Sequence, residues 1–389
     1  MHIPYIKKLR LLAFFVLSCV PFLLSCEDQD IEGVPSISNV RLLDPALGGS
    51  ALTEAMPGAK IVIQGQNLGS VLKVYFNDFE ASFNSALGSG SNLIVTIPAN
   101  APTKAVDPTV SNQIKVVTTG GQVTYNFQLL SPIPRSDGLY SEFVKPNGEL
   151  IIQGDYFYNI KSVRLGDITL EVTSHSVKQI KAKVPATVPV DFVIVEGEFG
   201  SDTTHFKVND TAHLMIDLDV PATSWGSLVC WGGAAVIPGT DPDAISGAFS
   251  RIKQTNLPKA GYDDSWVLST CYFEFNLPAG RAEDRQFKFE HLVLETWKAG
   301  AYDFVIGADG KEYTYTFKPW NNTTYLSTGY KTEGWKTAVI ELAEFKNSAG
   351  GTIADVSKIT DLKIAFGTPD ETIAAFNTAV DNFRIVNNK

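Results

Sequence analysis

Tryptophan is the residue type in this 389-residue chain whose placement most directly suggests chemistry. A flat aromatic ring held on a rigid scaffold offers a large contact area at a low cost in side-chain entropy. The six tryptophans all lie in the last part of the chain, at Trp225, Trp231, Trp266, Trp297, Trp320 and Trp335. We therefore expect a binding site, if there is one, within residues 213–389.

Two of these tryptophans lie in segments that are rich in turn residues and poor in apolar neighbours. Trp225 belongs to the segment 221–226 and Trp266 ends the segment 261–266. Large aromatic side chains in polar loops are expected to be exposed, which favours a binding role for both. Trp320 and Trp335 adjoin alternating strands and are interpreted as structural. The predicted binding residues are Trp225, Trp266, Tyr262, Trp231 and Trp297, of which Trp297 could equally be a core residue.

The carboxylates do not form a recognisable catalytic pair. A glycoside hydrolase needs two of them about 5–9.5 Å apart across a cleft. No spacing singles out a pair among the acidic candidates, which are interpreted as solvated strand edges and loops: Asp263, Asp264, Glu290 and Glu295. The sequence therefore predicts a protein that is not an enzyme.

Metal and cofactor sites are not predicted either. The five histidines are scattered singly, without the spacing of a zinc site. The acidic pairs in 217–219 and 241–243 could hold a structural calcium ion, although turn chemistry explains them equally well.

The N-terminus has the layout of a secretory signal peptide. Lys7, Lys8 and Arg10 precede an apolar run over 11–24, which a small residue and Cys26 follow. The cysteine resembles the lipobox of bacterial lipoproteins, whose mature first residue is a lipidated cysteine. An ordinary signal peptide or an N-terminal membrane helix are the alternatives.

Cys19 also follows a lipobox-like stretch, but cleavage there would expose the apolar segment 20–24. Cleavage before Cys26 leaves four polar residues, three of them acidic. That acidic run resembles an export signal for the outer face of the gram-negative outer membrane. The resemblance implies a lipid-anchored protein on the cell surface.

Composition agrees with an exported protein that does not bind nucleic acid. Without residues 1–25 the chain has 29 basic and 42 acidic residues, so its net charge is 29 minus 42, or −13. Cys230 and Cys271 could form one disulfide or be two buried thiols. No later stretch approaches the roughly 20 apolar residues that span a bilayer.

An internal repeat is evident when the chain is compared with itself. Residues 60–69 and 74–78 recur as 149–157 and 163–167, with Gly65 and Gly154 at an offset of 89. Each copy predicts a strand, a glycine turn, a second strand and a later strand stopped by proline. Such spacing fits a small antiparallel sandwich.

The first copy, with its Ile-x-Gly-x-Asn-Leu-Gly pattern, resembles an IPT/TIG immunoglobulin-like domain. The second departs from that pattern at 155–158. The predicted domains are a signal peptide (1–25), a lipidated linker (26–34), two IPT/TIG-like spacers (35–130 and 131–209) and a C-terminal domain (213–389). We interpret the two repeats as spacers because no nucleophile and base group together in them.

The C-terminal domain alternates apolar and polar residues in several places. Phe287 and Phe289 alternate with Lys288 and Glu290, which predicts a strand with one buried face. Similar runs lie at 271–275 and 313–317, and 359–366 and 382–386 are predicted as late strands. The fold class is therefore all-β, with a jelly-roll-like sandwich after the two immunoglobulin-like sandwiches.

Four motifs of this domain resemble the surface glycan-binding protein B family. They are Phe287–Glu290 with Trp297–Gly300, Phe317–Trp320, Gly334–Ile340 and Asp381–Ile385. The resemblance implies a non-catalytic lipoprotein that captures a plant β-glucan, such as xyloglucan or mixed-linkage glucan, by aromatic stacking. It also implies a TonB-dependent transporter and its companion glycan-binding lipoprotein as partners. The alternatives are a surface adhesin that binds proteins and a hydrolase with unrecognised carboxylates.

Overall fold

The computed structural model describes residues 33–44, 50–216, 218–219, 235–257, 266–269, 275, 277–367 and 373–388. Over these residues the chain consists of β-sheets and four short 3-10 turns, at Ser85–Leu87, Ala282–Asp284, Leu342–Glu344 and Val356–Lys358. This confirms the predicted all-β class. The contacts divide the chain into two compact units, one ending at Pro132 and the other beginning at Ile133. The finer domain limits stay predictions.

The first unit contains the first copy of the repeat. Its strands are β1 (Ser36–Leu42), β2 (Glu54–Ala55), β3 (Lys60–Gln66), β4 (Val71–Phe76), β5 (Phe79–Ala81), β6 (Asn92–Thr96), β7 (Gln113–Thr118), β8 (Gly121–Asn126) and β9 (Gln128–Leu129). They form sheets of order β1-β3-β6 and β5-β4-β7-β8, with a parallel pair β2-β9. Alternate residues such as Ile61, Ile63, Val74 and Phe76 are buried in one core, as a sandwich requires.

The second unit begins with the second copy. Its strands are β10 (Arg135–Leu139), β11 (Glu149–Asp155), β12 (Ile160–Leu165), β13 (Ile168–Thr169), β14 (Glu171–His175), β15 (Gln179–Lys183), β16 (Val193–Gly197) and β17 (Gly200–Thr203). The sheets have the order β10-β11-β15-β14 and β13-β12-β16-β17. Strands β11 and β12 lie 89 residues after β3 and β4, as the repeat predicts.

The turn that departs from the IPT/TIG pattern keeps its backbone conformation in the second copy. Asn67 and Tyr156, 89 residues apart, are both left-handed, with φ of 58° and 60°. The next residues, Leu68 and Phe157, are both buried. The substitution at 155–158 therefore changes the side chain without changing the turn.

The C-terminal domain follows in the same unit. Its strands are β18 (Leu214–Ile216), β19 (Ala235–Ile237), β20 (Phe249–Leu257), β21 (Trp266–Ser269), β22 (Arg285–Val293), β23 (Ala301–Ala308), β24 (Lys311–Phe317), β25 (Lys336–Glu341), β26 (Ile359–Gly367) and β27 (Ile373–Asn387). A large sheet has the order β19-β20-β27-β22-β25, with β18 also paired to β27, and a small sheet has the order β21-β26-β23-β24. Phe287, Phe289, Phe304 and Phe383 lie in the shared aromatic core.

The outer face of the large sheet is covered by the second copy. Lys288 and Glu290 were expected in solvent, but both are buried. Glu142, in the loop after β10, binds Lys288 Nζ at 2.6 Å and Arg384 Nη2 at 2.7 Å, and Arg384 Nη1 binds Glu290 at 2.8 Å. The interpretation of Glu290 as a solvated strand residue was therefore wrong, because a neighbouring domain covers that face.

Electrostatics explain why these buried charges are tolerated. Burial lowers the pKa of Lys288 to about 8, against the opposing pull of the Glu142 carboxylate. Although burial favours the neutral acid, Arg384 and Lys288 together lower the pKa of Glu142. Thr337 completes the cluster, because its hydroxyl donates to Glu290 at 2.7 Å and accepts the Glu142 N–H at 2.8 Å. Each charge has a partner of opposite sign, as buried charges require.

Candidate functional site

The described residues include few of the predicted binding side chains. Trp225, Trp231 and Tyr262 lie outside them, as do Cys26, Cys230 and Cys271. Trp266 was expected in a loop, but its backbone begins strand β21 and pairs with Ala365. Its side chain lies outside the description. The binding roles of these four aromatic residues stay predictions.

Trp297 is a core residue, which corrects its assignment as a binding residue. Its side chain is fully buried, and its ring packs edge-on against Tyr302 and Phe376 at 5.6 and 5.7 Å. Its Nε1–H donates to the carbonyl of Ala299 at 2.7 Å. An isolated backbone bridge pairs Trp297 with Tyr330. Because the ring is fully buried, it has no free face to stack on a ligand.

Trp320 and Trp335 are only partly buried, although both were interpreted as structural. Each indole is fixed by a hydrogen bond from Nε1. Trp320 donates to the carbonyl of Gly300 at 2.9 Å and Trp335 to the carbonyl of Asp243 at 2.6 Å. Both rings therefore combine a structural anchor with some exposed surface.

Strand pairing brings several segments to one end of the C-terminal sandwich. Leu257 pairs with Ile373, and Ala301 pairs with Gly367. Only residues 368–372 separate β26 from β27, so the ends of both sheets meet here. Trp266, the first residue of β21, pairs with Ala365, which lies two residues before Gly367 in β26. We call this end, bordered by Leu257, Trp266, Ala301, Gly367 and Ile373, the loop end.

A polar row crosses the small sheet beside the loop end. Trp266 pairs with Ala365, Ala365 with Asp303, and Asp303 with Thr316. The Thr316 hydroxyl donates to the Asp303 carboxylate at 2.5 Å. Alternation in 313–317 indicated that Thr316 faces outward, but only the strand register reveals Asp303 beside it. Sequence reasoning therefore missed Asp303.

The acidic candidates do not assemble a catalytic pair within the described residues. Glu290 is held by Arg384 and Thr337, Glu295 is exposed, and Asp263 and Asp264 lie outside the description. Asp241 and Asp243 instead flank Arg251. No group of three or more possible metal ligands is found among the described residues.

His291 is a packing residue in this domain. It is buried, and its Nε2 lies 2.6 Å from the Tyr330 hydroxyl. Burial, with a smaller contribution from the Lys336 ammonium, lowers the pKa of His291 to about 3. The imidazole is therefore neutral at physiological pH.

The C-terminal domain also matches a known protein family. Residues 208–387 match the model of the surface glycan-binding protein B xyloglucan-binding domain. The C-terminal domain belongs to this family. Surface glycan-binding protein B domains bind glycans and are not catalytic, which agrees with the predictions of glycan binding and of a non-catalytic C-terminal domain.

Individual relatives agree with this membership. A Bacteroides ovatus protein described as containing IPT/TIG domains is 30% identical over 222 residues, which cover 52% of this chain and 45% of that protein. The chain thus spans less than half of that relative.

Solved structures share the fold. The Prevotella bryantii surface glycan-binding protein B has a TM-score of 0.68 at 21% identity, with 92% of this chain and 99% of that chain covered. The protein of the same type from a complex xyloglucan utilization locus of Bacteroides uniformis has a TM-score of 0.51 at 17% identity, with 92% and 100% covered. At these identities the likeness concerns the fold alone.

Among the residues described, none of the helical segments has the length and apolarity needed to cross a membrane.

Proposed function

We propose that the protein captures a neutral plant β-glucan, of the xyloglucan or mixed-linkage type, at the loop end and does not cleave it. The observation that carries this proposal is the match of residues 208–387 to a xyloglucan-binding domain family. The segment 258–265, which includes Tyr262, runs between two residues that border the loop end, Leu257 and Trp266. The loop end is therefore our candidate for the ligand platform.

The residue types suit a sugar ligand. A pyranose ring has an apolar C–H face and a rim of hydroxyl groups, so an aromatic ring covers the face while polar side chains bind the rim. Trp225, Trp231, Tyr262 and Trp266 are the proposed rings, and Trp297 is withdrawn. Burying one large ring is worth roughly 1.5–3 kcal/mol. Two or three rings minus the cost of association give micromolar or weaker binding.

Asp303 and Thr316 are proposed to bind hydroxyl groups beside the platform. They share a row with Trp266, and both are accessible from solvent. A carboxylate only accepts hydrogen bonds, whereas a hydroxyl both donates and accepts. Because the Thr316 proton is donated to Asp303, both side chains present acceptor oxygens to the solvent. The pair can therefore accept hydrogen bonds from sugar hydroxyl groups, which adds orientation to the affinity from stacking.

Affinity electrophoresis of the chain without residues 1–25, in gels that contain xyloglucan or mixed-linkage glucan, tests the proposal. We expect retardation without release of reducing sugar. Trp225→Ala and Trp266→Ala should each weaken binding about tenfold or more, since one lost ring corresponds to at least about 1.4 kcal/mol. Tyr75→Ala, which removes a half-buried aromatic residue from the first unit, is the control.

Three results would count against the proposal. Retardation that persists unchanged in both tryptophan variants would refute the platform. Release of reducing sugar would indicate a hydrolase, and no retardation in any gel would favour a protein-binding adhesin.

We further propose that a lipid on Cys26 anchors the protein to the outer membrane and that the two repeats act as spacers. A TonB-dependent transporter and its companion glycan-binding lipoprotein are the proposed partners. Cys26→Ala should release the protein from the membrane fraction while glycan binding by the soluble protein is unchanged. Protease digestion of whole cells should remove the anchored protein; protection from protease would contradict surface exposure, and co-purification after crosslinking tests the partners.

A further inference from the structure

A second concave surface lies away from the loop end, between the second copy and the outer face of the large sheet. It has a volume of about 460 Å³, within the roughly 300–1,000 Å³ of typical ligand sites. An adjoining cavity of about 520 Å³ shares part of its lining, including Phe143, Val144, Lys145 and Pro242. We call the two together the seam groove.

Two aromatic residues line the seam groove, Tyr140 from the second copy and Trp335 from the C-terminal domain, and both are held in place. Trp335 is anchored through Nε1 to the Asp243 carbonyl and packs edge-on against Phe249, with ring centroids 5.5 Å apart. Tyr140 accepts the Glu333 N–H through its hydroxyl at 3.2 Å. Both rings are partly exposed, so each keeps surface for a ligand.

The two domains that supply these rings are fixed to each other. The carbonyl of Tyr140 accepts the Thr337 N–H at 2.9 Å, and the neighbouring Glu142 enters the buried ion cluster with Lys288 and Arg384. A preformed site binds more tightly because no conformational entropy is lost in ordering it when the ligand binds. The seam groove is therefore a built cleft between rigid partners.

The floor and rim of the groove favour a neutral, hydroxyl-rich ligand. Leu292 and Leu294 supply an apolar floor, while the rim carries the carboxylates of Glu149, Asp243 and Glu333. Lys145, the one cation among the described lining residues, donates to the Pro242 carbonyl at 3.1 Å. The surplus of carboxylates disfavours an anion, and an apolar molecule would leave the rim without hydrogen-bond partners.

The seam groove also leads toward the loop end. Its floor follows β22, whose last residue, Val293, pairs with Thr378 in β27. Leu294 then donates its N–H to the Asn377 carbonyl at 2.9 Å, four residues from Ile373 at the loop end. The floor of the groove therefore reaches the strand that ends at the loop end, which gives a long polymer a direction in which to extend.

We propose that the seam groove is a second carbohydrate subsite, which takes a further stretch of the same neutral β-glucan against the Trp335 and Tyr140 rings. This inference rests on the proposed function. It predicts that affinity depends on ligand length: a short oligosaccharide occupies only the loop end, whereas a long one occupies the seam groove as well.

Calorimetric titration of the chain without residues 1–25 tests this inference. The probes are a xyloglucan oligosaccharide with a four-glucose backbone and the xyloglucan polymer. Gly334→Trp fills the groove without strain, because a Cβ at Gly334 would meet no atom within 4 Å. Gly138→Trp is the matched control, since Gly138 has the same free space but does not line the groove. Trp335→Ala removes one of the two rings.

We expect Gly334→Trp and Trp335→Ala to weaken polymer binding about tenfold and to leave oligosaccharide binding within about twofold of the unaltered chain. Gly138→Trp should change neither. Unchanged polymer binding in both groove variants overturns the subsite while leaving the proposed function intact. Absence of binding by the unaltered chain instead overturns the proposed function and the subsite with it.

Discussion

The two copies of the repeat have the same fold but different surroundings. Both place a glycine where backbones approach closely: a Cβ at Gly65 would lie 1.8 Å from the Ser36 carbonyl oxygen, and one at Gly154 would lie 1.9 Å from that of Arg135. Within the second unit, the second copy contributes a buried acid, Glu142, to the sheet of the C-terminal domain. The repeated pattern therefore specifies the sandwich fold, whereas single loop residues such as Glu142 determine which neighbouring domain the sandwich packs against.

Removal of a cation from the buried cluster should have the largest effect. Arg384→Ala leaves Glu142 and Glu290 buried without their shared partner, which should destabilise residues 133–389 by about 3–5 kcal/mol in urea unfolding. Lys115→Ala, which breaks a largely exposed pair with Asp78 in the first unit, should cost less than about 1 kcal/mol. Equal losses of unfolding free energy in the two variants would mean that the buried ion pairs do not hold the second copy against the C-terminal domain.

Alanine at the paired glycines tests the features that the copies share. Gly65→Ala and Gly154→Ala should each lower the free energy of unfolding by about 1–3 kcal/mol, because the new methyl group overlaps a carbonyl oxygen. Gly138→Ala, which meets no atom within 4 Å, should be close to neutral. A large effect in one copy alone would show that the two turns are not equivalent.

Protonation of His291 in the unfolded chain should destabilise the second unit in acid, while Asp381, whose pKa burial raises to about 8, acts in the opposite direction. The pKa of His291 falls to about 3 in the folded protein, whereas the unfolded chain takes up the proton near 6.5. Stability from this residue is thus lost as the pH falls from about 6.5 to about 3, at about 1.4 kcal/mol per pH unit. The sequence 33–132 contains no histidine.

Denaturation of residues 133–389 and of their His291→Phe variant at pH 6.5 and pH 5 isolates the contribution of His291. The variant retains a ring, and its free energy of unfolding should fall by less between the two pH values than that of the unaltered sequence. An identical change in both would show that His291 makes no contribution.

A swap at the left-handed turn should have the smallest effect. Asn tolerates this conformation better than Tyr does. Asn67→Tyr should destabilise the first unit by about 1 kcal/mol, and Tyr156→Asn should stabilise the second by less, because Tyr156 also stacks near Arg135. Thermal unfolding of both variants checks the signs, and a stabilising Asn67→Tyr would refute the argument.

The fold was largely predictable because it depends on local patterns. The 89-residue offset located β3, β4 and their counterparts, and alternation placed Phe287 and Phe289 in the core. Alternation says which residues share a face but not what covers that face. Lys288 and Glu290 were therefore assigned to solvent, since nothing local indicates that Glu142, more than 140 residues away, lies against them.

The candidate site was less predictable because exposure depends on long-range pairing. Trp297 has polar neighbours in sequence, yet its backbone pairs with Tyr330 and its side chain is fully buried. Asp303 joins the site only through register with Ala365 and Thr316. Trp335 was interpreted as structural, and its hydrogen bond to Asp243 supports this, but its partly exposed ring also lines the seam groove.

The most direct test of the account compares the two units as ligand binders. Calorimetric titration with xyloglucan and with mixed-linkage glucan would use residues 33–132, residues 133–389 and the chain without residues 1–25. We predict that residues 133–389 bind one of these glucans within about twofold of the longer chain and release no reducing sugar, while residues 33–132 do not bind. Glucan binding by residues 33–132, or its loss from a folded 133–389, would contradict the claim that recognition resides in the C-terminal domain.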